Sequence, residues 1–111
     1  MTETVLFRGV NLARDCRFKY VLMQLKDERK VVRGDASAEY HAEVAERAKL
    51  PGAQVLGGGR IEVDAKTRKF KVYGYSVGFP WKGGISLNGE TAALIQEEFF
   101  DWEVSWSAEG Y

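Results

Sequence analysis

The chain has 111 residues with 16 Lys plus Arg against 16 Asp plus Glu, 45% hydrophobic and 29% charged side chains, so an ordinary soluble domain with one core is expected rather than disorder. Zero formal net charge provides no overall field to hold nucleic acid or an anionic membrane, and any anion site has to be local. A lone Cys16 excludes an intrachain disulfide and multi-cysteine metal sites. No apolar run approaches the roughly 20 residues of a membrane span, and the N-terminus lacks the layout of a signal peptide, so a reduced cytoplasmic setting is expected.

In chain order, Val5 to Leu12 reads as a short edge strand interrupted by Gly9, followed by a turn at Arg14-Asp15-Cys16. Phe18 to Leu25 is apolar almost throughout, the mark of a central strand. Asp27 to Lys30 turns the chain, and Val31-Val32-Arg33 returns antiparallel. From Ser37 the period changes: His41, Val44, Ala45 and Ala48 recur at three and four, predicting an amphipathic helix of about three turns. Ser37, or else Asp35, is its expected N-cap, and Pro51-Gly52 stops it.

Val55-Leu56 leads through Gly57-Gly58-Gly59 into the alternating Arg60 to Asp64, and the basic Lys66 to Lys71 run reads as a solvated hairpin end. Phe70 to Val77 forms the partner strand, with Arg60 expected near Ser76 at the open end of the hairpin. Phe79 to Gly84 reads as a flexible loop carrying exposed aromatic residues. Asn88 is the expected cap of a second helix from Gly89 to Phe99 or Phe100, and Trp102 to Trp106 the last strand. The sum is an α+β single domain over residues 1–111: a mixed or antiparallel sheet of five or six strands flanked by two helices.

His41 is the only histidine, so chemistry needing an imidazole converges on it. General base, nucleophile and metal ligand are all open to that ring, though no second His and no carboxylate spacing supports a metal. The plain alternative is a hydrogen-bonded core histidine continuing the apolar stripe of its helix. A helix start disfavours the imidazolium, so a neutral ring is expected. Lys19 interrupts an apolar strand and Arg60 follows three glycines; each has a structural reading, a snorkelling edge lysine and half of a cross-strand ion pair, beside a joint reading as clamps for a phosphoryl dianion. The glycine run fits neither a P-loop nor a dinucleotide fingerprint, and offers a bulge or a close approach to backbone. Ser76 and Gly78 offer a hydroxyl and an unhindered N–H at a strand end.

The strings Phe18-Lys19-Tyr20-Val21-Leu22, Val32-Arg33-Gly34, Ala38-Glu39-Tyr40-His41-Ala42, Leu56-Gly57-Gly58-Gly59-Arg60-Ile61, Val72-Tyr73-Gly74-Tyr75-Ser76 and Glu103-Val104-Ser105-Trp106 through Glu109-Gly110-Tyr111 stand in one order over nearly the whole chain. In that set the chain resembles the 14 kDa phosphohistidine phosphatase, or Janus, family. The resemblance implies metal-independent hydrolysis of protein phosphohistidine without a cofactor. It implies His41 as catalytic residue, Lys19, Ala42, Arg60, Ser76 and Gly78 as phosphate ligands, and Tyr40, Tyr75, Gly58 and Gly59 as pocket-shaping residues. Partners would be phosphohistidine-containing proteins or small phosphoramidates, with no nucleic acid or membrane, met by a monomer. Gly78 stands where the best-known members have Ala, and the segment from Phe79 to Glu90 departs most from the family pattern. A regulatory phosphohistidine- or phosphate-binding module without turnover is the alternative function, and a small interaction domain using the Trp81 loop a third.

Overall fold

A computed structural model of the protein describes residues 3–108. The Glu109-Gly110-Tyr111 end of the resemblance lies outside the described residues. Six strands, β1 (Val5–Arg8), β2 (Cys16–Gln24), β3 (Lys30–Asp35), β4 (Gln54–Asp64), β5 (Lys69–Tyr73) and β6 (Glu103–Trp106), form one mixed sheet in the order β1-β3-β2-β4-β5-β6. The two outer pairs, β1 with β3 and β5 with β6, are parallel, and the inner pairs are antiparallel. The near-continuous apolar run of β2 is explained by its central place: Val21 faces one helix while Tyr20 and Leu22 face the other, and all three are fully buried.

Helix α1 (His41–Ala48) packs through Val44 onto Val21, Met23 and Val31. Helix α2 (Asn88–Glu98) covers the opposite face, where Ala92 and Ile95 join Phe18, Tyr20, Leu22, Ile61, Phe70 and Trp102. Phe70 stacks on Trp102 at 4.5 Å between centroids, which fixes β6 to the larger core. Among the described residues no helix is long and apolar enough to cross a membrane.

Several local expectations are corrected. The N-cap of α1 is Tyr40 rather than Ser37 or Asp35, and the helix is eight residues long, just over two turns. Ser37 instead gives its N–H and hydroxyl to Asp35 Oδ1, at 2.9 and 2.7 Å, so it closes a turn before the helix begins. Strand β5 stops at Tyr73 because Gly74 turns to φ +76°, and Arg60 is paired with Tyr73, leaving Ser76 beyond the ladder. Asn88 is inside α2, after the cap residue Leu87, with its side chain fully buried. The Phe79 to Gly84 stretch is anchored rather than loose: Phe79 packs with the Val44 cluster and Trp81 with the larger core. The Trp81 indole fills the space beside Gly57, where a β-carbon would come within 2.3 Å of it.

Asp35 ties α1 to the sheet. Its carboxylate, 2% exposed, also takes a hydrogen bond from Arg47 Nη1 at 3.2 Å, and Arg47 donates to Glu43 at 3.0 Å. Burial alone would raise the Asp35 pKa, but the Ser37 donors and Arg47 outweigh it and hold the carboxyl below its ordinary value. A folded-state pKa below the unfolded one means that the contribution is present above about pH 3.9 and is lost as pH falls through the folded value. Asp35→Asn is therefore expected to cost roughly 1.5–3 kcal/mol at pH 7, with the gap to the parent closing in acid. Urea midpoints from pH 7 to pH 3 check this, and a gap independent of pH would refute the assignment.

Candidate functional site

The irregularity in β4 builds the floor of the site. The register with β2 slips between Leu22 and Met23, where Leu22 is paired with Gly57 and Met23 with Val55. The resulting bulge turns Leu56 into the α2 core and Val55 toward α1, and Gly57 at φ +155° takes the backbone conformation that this demands. Past the bulge, Gly58 and Arg60 share the α1 face with their partners Val21 and Lys19. Gly58 has no side chain because the His41 ring occupies its place: a β-carbon there would lie 2.8 Å from His41 Cδ2 and 2.7 Å from the Tyr20 carbonyl oxygen.

His41 is the first residue of α1 and only 7% exposed. Its Nε2 lies 2.9 Å from the Gly59 carbonyl oxygen. A carbonyl can only accept, so Nε2 carries the proton, and in the neutral ring the lone pair is on Nδ1. Burial lowers the His41 pKa; the Gly59 hydrogen bond pulls it up, while Lys19 and Arg60 push it further down, and the balance is a lowered value. A lowered value favours the neutral imidazole, with burial the largest cause.

Lys19 and Arg60 are directly opposed across β2 and β4, two like charges side by side on central strands. Like charges directly opposite one another on paired strands repel, and an anion bound between them relieves that repulsion. The structural readings narrow here: Lys19 is on a central strand rather than an edge, and the residues directly across the ladder from Arg60 are Lys19 and Tyr73. Asp35 is opposite Lys19 on the other side of β2, but its charge is engaged by Arg47 at 3.2 Å, with Arg8 at 4.0 Å. Two residues along a strand span about 7 Å, so the cations stand one phosphoryl group away from the Gly58 floor under His41. A cleft of about 220 Å³ lined by Lys19, Arg60, Arg17, Phe18, Ala36 and Ala38 opens at the cations.

A larger trough, about 640 Å³, lies farther along the sheet among Asp15, Arg17, Glu62, Asp64, Lys69 and Lys71. There opposite charges face one another across the strands, Arg17 with Glu62 and Glu62 with Lys71. That compensation leaves no concentrated charge for a phosphoryl group, so the smaller cleft is the better anion site; it is lined by the two cations, while His41, Ala42, Ser76 and Gly78 are not among its lining residues.

Ala42 is exposed in the first turn of α1, where the helix offers no acceptor to its leading N–H groups. The Glu43 carboxylate turns back instead to the N–H groups of Glu39 and Tyr40, both at 3.0 Å. Ser76 is buried and its Oγ accepts the Phe79 N–H at 3.1 Å, which leaves the hydroxyl hydrogen to donate elsewhere. Phe79 in turn packs with the Val44 cluster, so the chain that leaves Ser76 reaches the α1 side of the sheet at Phe79. Gly78 is exposed, with open space where a side chain would stand. Tyr40 and Tyr75 are exposed neighbours of His41 and Ser76, at 64% and 48%. His41, Gly58 and Gly59 are thus in direct contact, and Lys19 and Arg60 act on the same ring. Cys16 stays apart: burial and then the Asp15 charge raise its thiol pKa, which makes it a poor nucleophile. Among the described residues no group of three or more His, Cys, Asp or Glu is gathered as a metal would need.

Asn88 and Asp35 are the residues that sequence reasoning missed. Both occur in strings that read as helix caps, and nothing local distinguishes a capping side chain from one turned into the core.

The sequence profile of the Janus/Ocnus family (Ocnus) matches residues 5–103. The chain is 30% identical over 129 residues to the 14 kDa phosphohistidine phosphatase of Homo sapiens, covering 100% of this chain and 98% of that protein. Against the protein of the same name from Sus scrofa it is 30% identical over 118 residues, 92% of this chain and 90% of the relative. Against the sex-regulated protein janus-A of Drosophila melanogaster it is 34% identical over 112 residues, 92% of this chain and 80% of the relative.

Proposed function

Because the chain belongs to the Janus/Ocnus family, we propose that it is a phosphohistidine phosphatase, hydrolysing the phosphoramidate bond of protein phosphohistidine with His41 as general base or nucleophile. The observation that carries this reading is the bond from His41 Nε2–H to the Gly59 carbonyl, which leaves the lone pair of the neutral ring on Nδ1, in a ring on which the opposed cations Lys19 and Arg60 both act.

In this reading the phosphoryl oxygens take hydrogen bonds from the Ala42 and Gly78 N–H groups and the Ser76 hydroxyl, while Lys19 and Arg60 balance their charge. The first turn of α1 adds its partial positive field. Phosphoryl transfer keeps most charge on those oxygens, so donors fixed beforehand provide the stabilisation that many phosphoryl-transfer sites draw from a metal ion. On the direct route Nδ1 takes a proton from water as the water oxygen bonds phosphorus; the P–N bond breaks and its electron pair leaves with the substrate imidazole, which carries a proton. On the covalent route Nδ1 itself bonds phosphorus as the substrate P–N bond breaks and its imidazole leaves; water then bonds phosphorus, the Nδ1–P bond breaks with its electron pair returning to Nδ1, and phosphate is released. Tyr40 and Tyr75 shape the mouth of the pocket.

The same reading takes the protein as a monomer of one domain, working in a reduced cytoplasmic setting on phosphohistidine proteins or small phosphoramidates. Its 16 basic and 16 acidic residues support partners recognised locally rather than through a long-range field. The test is phosphate release from a phosphohistidine-bearing protein and from a small phosphoramidate in excess chelator. Catalytic release is expected with both; binding without release would make the chain a phosphohistidine-binding module, and neither would end the phosphate reading.

A further inference from the structure

Asn88 has every polar atom of its side chain engaged, and each bond leads to a different segment. Its Nδ2 donates to the Gly74 carbonyl at 3.0 Å and to the Ser107 carbonyl at 2.9 Å, and its Oδ1 accepts the hydroxyl of Tyr20. Gly74 is the φ +76° residue at which the chain leaves β5 for the Ser76 to Gly78 turn. Asn88 also reaches the underside of the floor: a β-carbon on Gly59 would lie 3.1 Å from its Oδ1. Gly59 is the residue whose carbonyl holds the His41 ring from the other face. One amide, fully buried, therefore spans the start of the phosphate turn and the residue that orients the imidazole.

Such an arrangement is more than a core hydrogen bond needs. Helix α2 could bury an apolar residue at this position, and the Gly74 carbonyl would then be left unpaired just where β5 ends. Resting on the reading above, we propose that Asn88 is a positioning residue for the reaction: it sets the distance between the donors of the Ser76 to Gly78 turn and Nδ1 of His41, from the face of the sheet opposite the substrate. It touches neither the substrate nor His41. Its action is through the Gly74 carbonyl and the Gly59 backbone.

The test uses the whole chain with Asn88→Ala, Asn88→Ser and Tyr20→Phe. Serine suits a helix start and supports folding, but its short side chain cannot hold two carbonyls; Tyr20→Phe removes the third bond and leaves both carbonyls held. Two quantities are read on folded protein: KM and kcat for a small phosphoramidate, and the affinity for inorganic phosphate from the shifts of the His41 ring and Gly78 amide signals. Loss of placement is expected to lower kcat/KM by on the order of 10- to 100-fold in both Asn88 variants. Much of the change should be in KM, with phosphate affinity weakened in parallel and Tyr20→Phe losing thermal stability alone. Asn88 variants that melt earlier yet keep the parent kcat/KM and phosphate affinity would overturn the proposal. If the parent itself does not turn over, the phosphatase reading fails separately, and the phosphate affinities alone decide the role of Asn88.

Discussion

His41→Ala is expected to reduce phosphoramidate hydrolysis by about 10²- to 10⁴-fold, the range for a lost general base, with a folded protein remaining. His41→Gln, which keeps a donor for the Gly59 carbonyl but has no basic nitrogen, should be equally slow. The pH profile carries the sharper signature. Burial, together with Lys19 and Arg60, lowers the His41 pKa in the free protein, so kcat/KM should hold its plateau to below the ordinary imidazole value of about 6.5 before falling in acid. A bound phosphoryl dianion offsets both cations and favours the charged ring, so the acid limb of kcat should be displaced to higher pH than that of kcat/KM. Because the chain holds one histidine, ring NMR signals follow the same proton without ambiguity, free and with inorganic phosphate. The depressed value also has a sign for stability: below about pH 6.5 the unfolded chain takes up the proton first, so this contribution to folding declines as pH falls toward the folded pKa. Rapid quench with labelled substrate separates the two routes, since label stable to alkali and lost in acid could be on His41 alone among histidines. Equal rates for parent and His41→Ala would remove the mechanism altogether.

The site was partly legible in the sequence because its chemistry rests on strand alternation and one helix start. The apolar run of β2 and the alternation of Arg60 to Asp64 mark inner strands, and the spacing of His41, Val44 and Ala48 puts the ring in the first turn of α1. What alternation does not fix is register, and here one residue decides everything. Shifting β4 by one position would turn Arg60 to the α2 face and remove it from Lys19. The slip at Leu22 and Met23 is such a displacement, marked in the sequence only by glycines that permit it without demanding it. Polar residues near helix starts were illegible for another reason. Ser37 and Asn88 have the side chains of N-caps, but other partners outbid the helix N–H groups: the adjacent turn residue Asp35, with Arg47 from the helix end, engages the first, and the distant Gly74 and Ser107 engage the second. The left-handed turn at Gly74 likewise ends β5 while the alternation of Tyr73, Tyr75 and Val77 runs on.

Gly58→Ala tests whether contact between ring and backbone is what orients His41. The added methyl would meet two things at once, the Tyr20 carbonyl oxygen at 2.7 Å and His41 Cδ2 at 2.8 Å. The first belongs to the backbone of a central strand paired on both sides, so it cannot retreat without breaking ladder bonds. The ring can retreat, but only by giving up the Nε2–H bond to Gly59 that fixes which nitrogen is free. Overpacking of this kind costs typically 1–3 kcal/mol, and displacement of the reacting nitrogen by about 1 Å costs on the order of 10²-fold in rate. We therefore expect a folded, less stable protein with kcat/KM down about 10²-fold. Gly78→Ala is the comparison: its methyl would have no heavy atom nearer than Ser76 Oγ at 4.0 Å, and the N–H is kept, so activity should hold. A double-mutant cycle in stability separates the two contacts. In the His41→Ala background the clash with the ring is gone while that with the Tyr20 carbonyl persists, so Gly58→Ala should cost less there than in the parent. If Gly58→Ala keeps the parent rate, or if the cycle shows no coupling, the ring is not held by the floor beneath it, and the orientation argued for Nδ1 loses its physical basis.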